Sequence, residues 1–125
     1  MSKGEAMSAR EAQPLPVGKG KKIGPLVKND LKALFKRGIP FAKLVSRDID
    51  ARMDLGKQIY GTELRSHNGR DSVLDAYQEC LDGLVYIRQA IYEGHTDLGI
   101  VYANLLSSAC TIKAYMDDKK ILQAN

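Results

Sequence analysis

Apolar residues recur at helical spacing in four stretches of this chain and alternate in none. The first stretch opens at Pro25, a residue suited to the first helical position. It places Leu26, Val27, Leu31, Leu34 and Phe35 opposite Lys28, Lys32, Lys36 and Arg37, and Gly38 and Pro40 end it. A second runs from Phe41 to Tyr60 on Phe41, Leu44, Val45, Ile49, Leu55 and Ile59, and closes at Gly61. In this helix Asp48 and Arg52 point with the apolar residues, while Lys43, Asp50, Asp54 and Lys57 point away. Standing at i and i+4, the two read either as a pair that satisfies itself at the core edge or as groups in a cleft. The third helix follows the loop "GTELRSHNGR", with Asn68 as N-cap and Asp71 reaching back as in a capping box. From Val73 to Ile91 its apolar residues cover about half the helical wheel, which predicts a central helix. After "YEGHTD", Thr96 is expected to cap a fourth helix with a stripe from Leu98 to Met116. Ile100, Ala103, Leu106 and Cys110 widen that stripe towards a second partner, another subunit. With no alternating run and no internal repeat, the pattern predicts an all-α protein, a small oligomeric bundle of about four helices.

Residues 1–24 mix Gly, Pro, Ser, Ala and Lys without period, so they are expected to form a disordered basic tail ahead of a bundle over 25–116. Residues 117–125 are expected to fray. Length allows one domain. No stretch approaches the roughly 20 apolar residues a membrane span needs, so no membrane partner is expected. Six Tyr, two Phe and no Trp leave little aromatic surface for stacking bases. Cys80 and Cys110 fall in helical patterns away from any CxxC pair, which suggests buried thiols in a reducing cytoplasm and argues against zinc. The formal charge of +4 is uneven. Residues 1–40 hold nine basic against three acidic residues, +6, and the remainder ten against twelve, −2. A basic leader of this kind is a solvated tail or, less often, a phosphate-contacting arm, with nucleic acid or a protein as its partner.

Asp71, Asp75, Glu79 and Asp82 occupy i, i+4, i+8 and i+11 of the third helix and fall within roughly 80° of one another. Like charges one turn apart repel, and the i+4 lysines that would relieve them are missing. An exposed acidic stripe is one reading. The other is a Mg²⁺ site, since that ion takes hard oxygen ligands and shares them with substrate phosphates. On the loop before the helix, Arg65, His67 and Arg70 could hold a polyphosphate or simply be solvated. Tyr86 and Gln89 lie near the acidic side, where a base or sugar would sit. Arg88 is expected to pair with an acid across a helix interface, for example Asp48. Nothing in the chain forms a nucleophilic triad, a Walker loop or a base-reading helix-turn-helix.

The run "IYGTELRSHNGRDSVLDAYQECLDGLVYIRQAI", preceded by "RDIDARMDLGKQ", resembles the MazG-like small proteins of bacteriophages over about residues 41–93, most specifically in YGT, HNGRD and DAYQExLD. The resemblance implies a helical oligomer, dimer or tetramer, of the all-α nucleoside-triphosphate pyrophosphohydrolase class. In that class Mg²⁺ held by acidic residues helps water cleave between the α- and β-phosphates. It implies a cytoplasmic protein, in the host cell if phage-encoded. Glu79 and Asp82 of "ECLD" match the class's ExxD, which gives them the metal-ligand and catalytic role. The matching ExxE is missing: the second helix offers Asp48, Asp50 and Asp54 at other spacings. Asp48 with Asp75, Glu79 and Asp82 could rebuild the metal site, with Arg65, His67, Arg70 and Tyr86 on the substrate. The alternative is an oligomeric module that has lost the chemistry and binds a nucleotide or protein partner.

Overall fold

Proline and glycine set the helix limits. Pro25 opens α1 (Gly24–Lys36), where its fixed φ and missing N–H cost nothing. Gly38, at φ +94, turns the chain out, with its own N–H on Phe35 O and that of Ile39 on Leu34 O. Pro40 precedes α2 (Phe41–Tyr60), and Gly61 at φ +76 ends it with its N–H on Lys57 O. The third helix, α3, spans Ser72–Tyr92. A 3₁₀ turn, Thr96–Leu98, leads into α4 (Gly99–Ala124). In this computed structural model the backbone is described for residues 12–124 and the side chains for residues 12–119. Among the described residues there are four α-helices and no strand, and no helix is long and apolar enough to cross a membrane. The all-α expectation therefore holds at the level of the elements.

The chain divides into two compact units, one of residues Gln13–Arg70 and one from Asp71 onward. In the first, α1 packs on α2. The α2 side turned to α1 mixes small and longer groups: Ala42 is buried, and Ser46, Ile49, Met53 and Gly56 are half-buried. Met53 lies so close to Gly24 that a Cβ there would meet its Cγ at 2.9 Å. In the second unit α3 packs on α4 around Leu74 and Ala109, both buried, with Leu105 against Gly83.

Several expectations change at the helix ends and in the core. The N-cap of α3 is Asp71, whose Oδ1 accepts from Val73 N at 3.0 Å and Leu74 N at 3.1 Å. Asn68 is buried one step earlier and takes Arg70 N on its Oδ1 at 3.1 Å. Thr96 opens the 3₁₀ turn rather than α4, and α4 continues to Ala124 through residues expected to fray. Cys110 is exposed, not buried. Asp48 and Arg52 are both exposed, and no ion pair joins them or reaches Arg88 among the described residues.

The leader expected to be disordered over 1–24 is tied to the 62–70 loop wherever it is described. Ile23 N donates to Leu64 O at 3.0 Å, Ser66 N to Lys21 O at 2.8 Å and Val17 N to Asn68 O at 3.0 Å, with Lys22 and Arg65 forming an isolated antiparallel bridge. Lys22 Nζ meets Glu63 Oε2 at 2.9 Å. Gly20 allows this approach, because a Cβ there would overlap the Ser66 carbonyl. Residues 1–11 of that expected tail lie outside the described residues.

Candidate functional site

Helical geometry places Asp75, Glu79, Asp82 and Tyr86 on one stripe of α3, about 60° wide at 100° per residue. The opposite side of the helix, from Leu74 to Ile91, packs on α4, so the stripe is held by a rigid, anchored backbone. Asp75 is half-buried, while Glu79, Asp82 and Tyr86 are exposed. Among the described residues Glu79 and Asp82 make no ion pair or side-chain hydrogen bond. Asp71 leaves the acidic group, because its carboxylate is committed to the helix N-terminus. Gln89, expected near the stripe, donates to Glu93 at 3.3 Å. Arg88 instead lines a shallow apolar hollow with Leu84, Val85, Tyr92 and Tyr102.

The loop groups Arg65, His67 and Arg70 belong to the other unit. Arg65 is half-buried and donates from Nη1 to Gly20 O at 3.0 Å, with its Nε buried. Arg70 donates from Nη1 to Pro14 O at 2.7 Å. His67 is exposed in the left-handed region at φ +53, uncommon for a residue with a Cβ. The leader thus uses two of the three groups expected to hold phosphate, a role that composition could not suggest. Gly18 and Gly20 were the available signal, since a Cβ at either would run into Thr62 or Ser66.

Asp48 also belongs to the first unit, exposed on α2. Among the described residues no group of three or more His, Cys, Asp or Glu side chains converges as a metal site. The stripe by itself offers two free carboxylates and a half-buried third. The hydrogen bond from Lys22 holds the Glu63 carboxyl below the ordinary glutamate range. No family model, curated protein or solved structure matches this chain significantly.

Proposed function

We propose that the α3 stripe is a half-site for a Mg²⁺-bound nucleoside triphosphate, and that the protein is a nucleotide pyrophosphohydrolase of MazG-like type working as a homo-oligomer. The observation that carries this reading is the pair Glu79 and Asp82, one turn apart on an anchored helix, exposed and unpaired among the described residues. Mg²⁺ is commonly held by one or two carboxylates together with waters and substrate phosphates, so a closed cage of three protein ligands is not required. When bound, the ion would neutralise phosphate charge and polarise the phosphoryl oxygens. Glu79 and Asp82 would hold it, and Asp75, half-buried one turn earlier, would orient water towards the α-phosphorus. The bond between that phosphorus and the bridging oxygen breaks, giving a nucleoside monophosphate and pyrophosphate. Tyr86, two turns from Glu79, offers a ring for the base or sugar. Asp48 belongs to the other compact unit, and the reading does not need it.

Pyrophosphate release from a panel of ribo- and deoxyribonucleoside triphosphates, with and without Mg²⁺, tests this. Release should require the metal and disappear in Glu79→Gln, with helicity by circular dichroism unchanged because the residue is exposed. Full turnover in that variant, or no release from any triphosphate by the folded protein, rejects the reading.

A second reading, a non-catalytic module for a polyanionic partner, is favoured by a different observation. Residues 13–70 hold thirteen Lys and Arg against five Asp and Glu, a net of +8, whereas residues 71–125 hold four against eight, −4. The basic charge therefore belongs to the folded first unit rather than to a free tail. Between α1 and α2 a groove of about 290 Å³ has an apolar floor of Leu31, Phe35 and Ala42, with Lys28, Lys32 and Lys43 beside it and no carboxylate in its lining.

A further inference from the structure

The α2 face that α1 leaves open has an internal symmetry. Phe41, Val45, Asp48, Arg52, Leu55 and Ile59 fall within about 80° of one another on the helix, and all six are exposed, Phe41 at 71% and Ile59 at 63%. Counted outwards from position 50, they match in pairs: Phe41 with Ile59, Val45 with Leu55, Asp48 with Arg52. Each apolar residue has an apolar mate, and the one acid has the one base.

We infer that α2 pairs antiparallel with α2 of a second copy about a two-fold axis at position 50, so that residue i of one copy meets residue 100 − i of the other. This deepens the oligomeric part of the proposed function and does not depend on its chemistry. A two-fold interface must be self-complementary, and a helix face achieves that only if its pattern is reversed onto itself, as this one is. Two Asp48–Arg52 pairs then form at the centre, flanked by two Val45–Leu55 and two Phe41–Ile59 contacts. A parallel pairing would set Asp48 on Asp48 and Arg52 on Arg52, like charge on like. Within one chain the two groups are i and i+4 yet unpaired, which leaves both heads open to the partner. The stripe from Phe41 to Ile59 spans about 27 Å at 1.5 Å per residue, a contact of ordinary length for packed helices. An exposed apolar stripe of this length on an isolated protein would promote association in any case, and the central charges fix its register and direction.

Sedimentation velocity on the full chain tests the inference by charge exchange. The wild type should be dimeric at micromolar concentration. Asp48→Arg places arginine against arginine at two points, and Arg52→Asp places aspartate against aspartate. Each should raise the dimer dissociation constant about tenfold or more. The double exchange Asp48→Arg with Arg52→Asp restores both pairs and should return the wild-type value. Mixing the two single variants should yield a one-to-one heterodimer, because each supplies what the other lacks. Circular dichroism checks that both single variants stay folded, as substitution at exposed positions predicts. A monomeric wild type, single variants that associate as before, or failure of either the double exchange or the mixture to restore the dimer overturns the inference. A dimer insensitive to these charges but lost on changing α3 or α4 overturns it too, by placing the interface elsewhere.

Discussion

At the scale of single residues, the contact between Lys22 and Glu63 is the ion pair among the side-chain contacts that tie the leader to the 62–70 loop. Their 2.9 Å ion pair depresses the Glu63 carboxyl below its ordinary range. A group depressed in the folded state contributes fully above its unfolded value, and the contribution is lost as pH falls through the depressed one. The hold of the leader on the 62–70 loop should therefore be intact at neutral pH and weaken only in acid. In nitrogen-resolved spectra the Ile23 and Ser66 amides should keep their positions from neutral pH down to the lower glutamate range and shift below it. Lys22→Ala should raise the Glu63 midpoint and move the same two amides at neutral pH. Amides that ignore both acid and the substitution would show that the ion pair plays no part in the attachment. Composition hid this contact. A segment of Gly, Pro and Lys reads as disordered when each residue is weighed for its own burial, and Gly20 has value only through the Ser66 backbone it lets the chain approach.

At the scale of elements, helix limits were legible where a residue acts on its own backbone. Pro25, Gly38 with Pro40, and Gly61 end or begin helices by φ alone, and the structure puts the limits there. The start of α3 was harder, because Asn68 and Asp71 both suit an N-cap and only the turn between them decides. Asn68 is drawn into the loop by Arg70 N, leaving Asp71 to cap. Asp71→Ala should thus cost about 0.5–2 kcal/mol of stability by denaturant unfolding, the usual loss for a cap with two backbone donors. Asn68→Ala should open the loop without shortening α3. If Asp71→Ala is neutral while Asn68→Ala shortens α3, the assignment is reversed. The acidic stripe was legible for the same reason as the helix, since Asp75, Glu79 and Asp82 are placed by one rotation per residue. What the pattern could not separate was the two sides of α2. Its large apolar residues predicted a core, yet the side turned to α1 is that of Ala42, Ile49, Met53 and Gly56, where Ala42 and Gly56 leave room for the longer Ile49 and Met53. The larger stripe is left for another partner.

At the scale of the whole molecule, the charge changes sign where one compact unit gives way to the other, at Arg70 and Asp71. Divided at residue 40, the excess reads as that of a tail. Division at the unit boundary gives a basic hairpin of +8 and an acidic one of −4, so even complete mutual neutralisation would leave four positive charges over. In the groove between α1 and α2, Lys32 and Lys43 have no ion pair among the described residues. Lys43 lies 5.8 Å from the centre of the exposed Phe35 ring, and Lys28 is shared with Asp50 at 2.8 Å. A surface of this kind would bind a phosphate backbone through counterion release, giving a log affinity that falls linearly with log salt by about 0.7 per phosphate contacted on a single strand. Fluorescence anisotropy with a labelled oligothymidylate should show that fall. Lys32→Gln combined with Lys43→Gln should reduce the slope by about 1.4, two contacts' worth. Neither lysine belongs to the α3 stripe, so pyrophosphate release should be unchanged in the same variant. A slope the variant leaves unaltered would remove the groove from the second reading, and turnover lost along with it would mean that the basic hairpin serves the nucleotide instead.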